Sequence, residues 1–214
     1  TALTDTPAFV TGAVDLVYLG ALTEQGQLKA IGHLAPHRER IGALIEGGTS
    51  FLFTHNALEV LGTRIRNDDM HYDGPGVGVF ELEATLQMFG RYNGKVMGTV
   101  TEAGAAHPVV GYKSQFSMVT VAESLPGFLT ADRGIGRNTT TAVEGVRRSN
   151  FIGTSLLGPL LVANTYFTRG FLARLAPDTE PTLAHEAFAL AAYEARLADF
   201  GERKRWHPFE RVRS

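Results

Sequence analysis

The stretch Phe51-Leu52-Phe53-Thr54-His55-Asn56-Ala57-Leu58-Glu59-Val60-Leu61-Gly62, entered from Ile45-Glu46-Gly47-Gly48, constrains the fold more than any other. A run of strand formers is cut short by small polar residues and followed at once by a short helical pattern. A strand that turns directly into a helix is the elbow by which an α/β domain presents one side chain above the end of its sheet. His55 stands at that turn, with Thr54 before it and Asn56 and Glu59 after it, so this is where function is sought first.

The flanking chain fits such a domain. Residues 13–19 read as a buried strand ending at Gly20, and residues 25–33 and 35–46 as helices, the second opened by Pro36 and stopped by Glu46-Gly47-Gly48. Residues 67–76 read as a polar loop with turn chemistry at both ends. From Val77 the pattern becomes alternating, at 79–85, 95–101 and 108–121, which predicts about three antiparallel strands extending or flanking the sheet. Residues 122–148 are rich in loop formers, residues 151–154 form a strand, and helices are expected from Pro159 to about residue 175 and again from Pro181.

With 214 residues, 44% apolar and 20% charged, the chain can fill one core, and no repeat or low-complexity tract divides it. The expected organisation is one domain over residues 1–200 and a basic tail over 201–214 that carries Arg203, Lys204, Arg205, Trp206, Arg211 and Arg213. A net charge of −2 gives no basic surface for nucleic acid. The absence of cysteine rules out disulfides and thiolate metal sites and fits a cytoplasmic protein, and no apolar run is long enough for a membrane span. Asp68, Asp69, His71 and Asp73 are hard ligands close together, but they lack calcium-loop spacing, so an acidic surface loop is expected and no metal or cofactor.

Two motifs in order resemble one family, the class I glutamine amidotransferases. The branch is that of cobyric acid synthase and of the glutaminase subunit of lipid II isoglutaminyl synthase. Its elbow is of Cys-Gly-Gly-Tyr-Gln type ending in Leu-Gly; counted back from Leu61-Gly62, the cysteine falls on His55 and the glutamine on Glu59. Its second motif resembles Gly-Thr-Tyr-Leu-His-Gly-Pro-Leu-Leu, here Gly153-Thr154-Ser155-Leu156-Leu157-Gly158-Pro159-Leu160-Leu161 with Asn164 beyond, and places the catalytic histidine on Leu157. The Gly-rich oxyanion loop after the first strand is reduced to Gly20-Ala21-Leu22, and the turn Gly134-Ile135-Gly136-Arg137-Asn138 before Glu144-Gly145 lacks the third glycine of a phosphate cradle.

The resemblance implies a three-layer, flavodoxin-like α/β fold with a mostly parallel sheet, and a first βα unit that is absent here. It implies a pocket around Gly20, Thr54, His55, Asn56, Glu59, Gln115 and Ser155. Both members of the Cys–His dyad are replaced, so thioester chemistry is not expected. Active relatives pass ammonia to a synthetase, which for isoglutaminyl synthase is a Mur-ligase-like enzyme of cell-wall synthesis. The chain is then expected to be a structural or regulatory subunit of such an enzyme, or to bind a small carboxamide or carboxylate in the old pocket. Two rival readings stay open: an enzyme with a new reaction using His55 and Glu59, and a component of a cobyric acid synthase-type amidotransferase. Thr54 and Ser155 have no base placed beside them by either motif and read as hydroxyls serving local backbone groups.

Overall fold

The computed structural model describes residues 6–202 apart from 70, 88, 103 and 158, so all of the basic tail beyond Glu202 lies outside the described residues. A short helix α1 (Ala8–Thr11) precedes β1 (Leu16–Leu19). Helix α2 (Glu24–Leu34) begins where the Thr23 hydroxyl accepts from the Gly26 amide at 3.0 Å, a side-chain N-cap. The expected second helix is divided: Pro36 sits in a 3₁₀ turn over Ala35–His37, and α3 (Arg38–Glu46) follows it. Then come β2 (Ser50–Thr54), α4 (Ala57–Val60), β3 (Arg64–Asn67), β4 (Tyr72–Pro75), β5 (Leu82–Leu86), β6 (Tyr92–Glu102), β7 (Ala105–Gln115) and β8 (Ser117–Val121). The second half holds β9 (Leu129–Arg133), β10 (Val143–Glu144), β11 (Val146–Arg148), β12 (Phe151–Thr154), α5 (Leu160–Ala163), α6 (Thr165–Leu175) and α7 (Glu186–Gly201).

The central sheet has the order β1-β2-β12-β11, parallel through its first three strands, with β11 antiparallel at the edge. The two apolar runs far apart in sequence are thus direct neighbours, Phe51 opposite Phe151 and Thr54 opposite Thr154. Side chains alternate across a strand. Phe51, Phe53 and Phe151 pack on one face with Ala30, Ile31, Ile41 and Ile45 of the helices, while Leu52 and Ile152 meet Val96, Val109, Phe167 and Phe171 on the other. That burial on both faces is why these strands read as continuous apolar runs.

The antiparallel part is larger than the alternation predicts. It forms two sheets, β4-β3-β5-β8 and β10-β9-β6-β7, the second built on the long β6–β7 hairpin. The polar stretch around residues 67–76 contributes half of a β3–β4 hairpin, held by Arg64 donating in bidentate fashion to Asp73 at 2.8 and 2.6 Å. Arg66 pairs with Asp68 at 3.1 Å, so two of the four hard ligands are engaged by arginine. The helix expected from Pro159 is broken at Asn164. Its buried carboxamide pairs with both backbone groups of Val110 on β7, at 2.8 and 2.9 Å, and so competes with helix continuation. The last helix starts at Glu186 rather than at Pro181, after His185 in the left-handed region at φ 56.

Arg133 of β9 reaches the other end of that helix. Its guanidinium donates to the carbonyls of Phe200 and Gly201, which are among the last acceptors of α7.

Candidate functional site

The elbow is built as the sequence predicts. His55 follows β2 directly with φ 58, a left-handed conformation that costs a non-glycine residue on the order of 1 kcal/mol and persists only where the surroundings enforce it. Asn56 then leads into α4, whose four residues are all buried. Leu58 donates to the His55 carbonyl at 3.3 Å and Glu59 to that of Asn56 at 3.2 Å, closing the turn.

Each group at the elbow is engaged by another part of the chain. The His55 ring is half-buried, and its Nε2 donates to the Ser114 carbonyl at 2.8 Å while Nδ1 faces the Asn56 side-chain oxygen at 3.2 Å. Neither ring nitrogen faces open space. The Asn56 carboxamide is itself locked, its Oδ1 accepting from the Leu22 amide and its Nδ2 donating to the Leu22 carbonyl, both at 2.9 Å. Leu22 lies in the loop that the resemblance makes the oxyanion loop, so the backbone donor there is occupied by a side chain of the chain itself. Gly20 opens the same loop and is half-buried.

Leu157 follows the same pattern. Its amide donates to the Tyr112 carbonyl at 2.6 Å, an isolated antiparallel bridge to β7. Residues 112–114 of one strand therefore hold both His55 and Leu157 through main-chain oxygens.

Below the elbow, Glu59 is 2% exposed and surrounded by neutral donors. The Ser117 hydroxyl donates to one carboxyl oxygen, and the Gln27 amide donates to the other at 2.8 Å as well as to the Asn56 carbonyl at 2.8 Å. Burial pushes the Glu59 carboxyl above its ordinary range, against the opposing pull of those hydrogen bonds and of the His55 charge. Gln115, also buried, donates to the Ser117 carbonyl at 2.8 Å, and its own side-chain oxygen has no hydrogen-bond partner among the described residues.

The sign of the Glu59 effect follows. A carboxyl raised in the folded state gives its full stabilisation below its unfolded pKa of about 4.3 and loses it as pH rises through the raised value. Neutral pH is therefore the costly side. Glu59→Gln keeps a partner for both Ser117 and Gln27 and should raise unfolding stability near pH 7.5 by about 1 kcal/mol. It should also flatten the decline above pH 5. Thermal melts from pH 4 to pH 8 measure both; a lower midpoint for the variant at pH 7.5 would mean that an ionised Glu59 is stabilising.

Behind the second motif lies a fully buried ion pair that sequence reasoning did not single out. Glu144 accepts from the Thr154 hydroxyl at 2.7 Å and the Ser155 amide at 2.8 Å, and Lys113 stands 3.3 Å from it while donating to the Gly136 carbonyl at 2.5 Å. Burial pushes the Lys113 ammonium below its ordinary value, with Glu144 opposing. Arg137 is shifted the same way by burial, with its guanidinium donating to the carbonyls of Gly145 and Leu125 at 2.7 and 3.2 Å. Thr54 is buried with its hydroxyl 3.3 Å from that of Tyr18.

The residues read from the sequence thus divide into two groups. His55, Asn56, Glu59 and Gln115 belong to one connected hydrogen-bond network with Leu22 of the oxyanion-like loop and with Gln27, Ser114 and Ser117, to which no local motif points. Ser155 belongs to the Glu144 cluster, and Thr54 pairs with Tyr18 at the edge of the sheet. The one available signal for Gln27 was a polar residue in the apolar helical register of Ala30, Ile31 and Leu34. Three open clefts of about 400 to 470 Å³ lie elsewhere, around Arg137 and Val143, around Arg38 and Arg148, and around Thr99 and Arg147. Among the described residues no cluster of His, Asp or Glu is arranged to hold a metal ion, and no helix is long and apolar enough to cross a membrane.

No family model matches the chain, and no curated protein matches it in sequence. Among solved structures it is similar to a glutamine amidotransferase at 12% identity and TM-score 0.45, covering 76% of this chain and 79% of that one. It is also similar to a glutamine amidotransferase from Thermotoga maritima, at 10% identity and TM-score 0.44 over 87% and 71% of the two chains. PurLQS from the same organism gives 12% identity and TM-score 0.47 over 86% and 80%. At these values the chemistry of the site has to rest on its own residues.

Proposed function

We propose that the chain is a catalytically silent glutamine amidotransferase-like subunit that acts through a partner enzyme. The observation that carries this reading is the occupancy of the elbow. A nucleophile needs a free lone pair and a base to activate it. The position assigned to the cysteine instead holds His55, both of whose nitrogens are engaged, and the position assigned to the base holds Leu157. An oxyanion needs N–H groups aimed at open space. The Leu22 N–H in the corresponding loop is taken by Asn56.

The partner class rests on the resemblance of the two motifs to the isoglutaminyl synthase branch: an amide-forming synthetase of Mur-ligase type, with the chain as a structural or regulatory subunit. A new reaction at His55 and Glu59 is less well supported, because Glu59 at 2% exposure is shared between Ser117 and Gln27 and would have to leave both to meet a substrate.

The test is ammonia release from glutamine by the purified chain, alone and with the Mur-ligase-like protein encoded nearest to it. The expected result is release at background together with co-elution of the two proteins. Release that vanishes in His55→Ala would overturn the silent-subunit reading, and separate elution at micromolar concentrations would overturn the partner.

A further inference from the structure

Arg137 is a buried cation, 8% exposed, with no ion-pair partner among the described residues. Glu144 pairs with Lys113 and reaches Arg137 only through space. Two buried cations therefore share one buried carboxylate, which leaves a positive charge in excess where water is scarce. The guanidinium is held in one orientation. Its Nε and Nη2 are spent on the carbonyls of Gly145 and Leu125, while the backbone of Arg137 donates to Val143 at 2.8 Å and accepts from Val119 at 3.1 Å. Nη1 has no hydrogen-bond partner among the described residues, and it is not sealed from solvent. What opens beside Arg137 is a cleft of about 470 Å³, within the range of roughly 300 to 1,000 Å³ usual for small-ligand sites. Val119, Val121, Leu125 and Val143 make its walls apolar. Glu123, the carboxylate on its lining, is exposed and forms no ion pair with Arg137.

We propose that this cleft binds a small monocarboxylate carried on a compact apolar body, the carboxylate on Nη1 of Arg137 and the body against Val119, Leu125 and Val143. A carboxylate accepts a charge-assisted bond from the guanidinium and supplies the missing countercharge. It also offsets the desolvation that pushes Arg137 below its ordinary value. One excess charge and one free nitrogen suit a monoanion. A doubly charged phosphate would turn its remaining oxygens toward valine and leucine, where no donor meets them. Because the donor is already fixed by four main-chain bonds, binding orders little that is not ordered beforehand. No lining residue belongs to the network around His55 and Glu59, so the site is separate from the elbow and stands or falls independently of the silent-subunit reading.

The probe is 4-methylpentanoate, with 4-methylpentan-1-ol as its uncharged match and acetate as the anion without the body. Calorimetric titration of the full chain should give a Kd at or below about 1 mM for 4-methylpentanoate, and binding at least about tenfold weaker for each control. Two-dimensional amide NMR spectra should shift at residues 119–127 and 137–143 and stay unchanged at His55 and Asn56. Arg137→Gln should abolish binding. That variant also loses bonds to Gly145 and Leu125, so Glu123→Lys, which alters an exposed side chain, is the second test. It should tighten the carboxylate by about twofold or more at low salt and leave the alcohol unaffected. No saturable binding of 4-methylpentanoate up to about 10 mM overturns the proposal. So does an alcohol that binds as tightly as the acid, a set of shifts centred on the elbow, a folded Arg137→Gln chain of unchanged affinity, or a Glu123→Lys chain indifferent to the charge of the probe.

Discussion

Lys113→Met should cost about 3–5 kcal/mol of unfolding stability, a large share of the roughly 5–15 kcal/mol that holds a typical domain folded. The lysine and Glu144 are both fully buried, so removing the ammonium leaves a carboxylate with the Thr154 hydroxyl and the Ser155 amide as donors and without its ion-pair partner, the Arg137 guanidinium acting on it only through space. The loss comes from that stranded charge and not from the Coulomb energy of the pair. The double variant Lys113→Met/Glu144→Gln should recover most of it. A carboxamide in place of the carboxylate can still accept from Ser155 and meet Thr154, and methionine fills the lysine stem's volume. Urea and thermal unfolding of the wild type and of the single and double variants give the coupling directly. Single variants each costing under about 1 kcal/mol, or a double variant worse than their sum, would show that the pair is not the balanced unit described.

The same pair explains why the end of β12 is held firmly. Glu144 fixes Thr154 and Ser155, and the Leu157 amide is then tied to Tyr112 one residue from Lys113. Strands β7, β10 and β12 are thus connected through buried charge.

Much of the fold was legible because its signals are local. The apolar runs at β2 and β12 are buried on both faces, Gly47 ends α3, and the break from apolar strand to Thr54-His55-Asn56 marks the elbow. What escaped is what depends on distant partners. Arg64-Ile65-Arg66-Asn67 becomes a strand because β4 and β5 pair with it on both sides, and the strands of residues 122–148 are only two to five residues long. The site was half legible for the same reason. His55, Asn56 and Glu59 follow from the elbow, but Gln27 and Ser117 come from 32 and 58 residues away, and no pattern in one sequence brings them to Glu59. Lys113 occupies an inward position of an alternating strand, between the buried Gly111 and Gln115, where a cation is legible only as an anomaly.

Gly62→Ala should be the other severe substitution, costing about 3 kcal/mol or more, because the glycine ending the elbow is a backbone crossing point. A Cβ there would stand 2.5 Å from the Leu82 carbonyl and 2.6 Å from its side chain, and a Cβ on Gly76 would stand 2.2 Å from the Gly62 carbonyl. In each case the obstacle includes main chain, which cannot rotate away. Three segments meet at this point: Gly78 donates to the Gly62 carbonyl at 2.7 Å, Val79 and Phe80 to Leu61, and Thr63 to Leu82. The methyl would therefore separate the elbow helix from the β3–β5 sheet and carry α4, with Glu59 on it, away from Ser117. Gly42→Ala, where nothing lies within 4 Å of an added Cβ inside a helix, is the matched control and should be neutral or slightly stabilising. Chemical denaturation of the two variants separates close packing from the general effect of losing a glycine; equal midpoints would mean that the crossing relaxes at no cost and that the elbow is not pinned by its last residue.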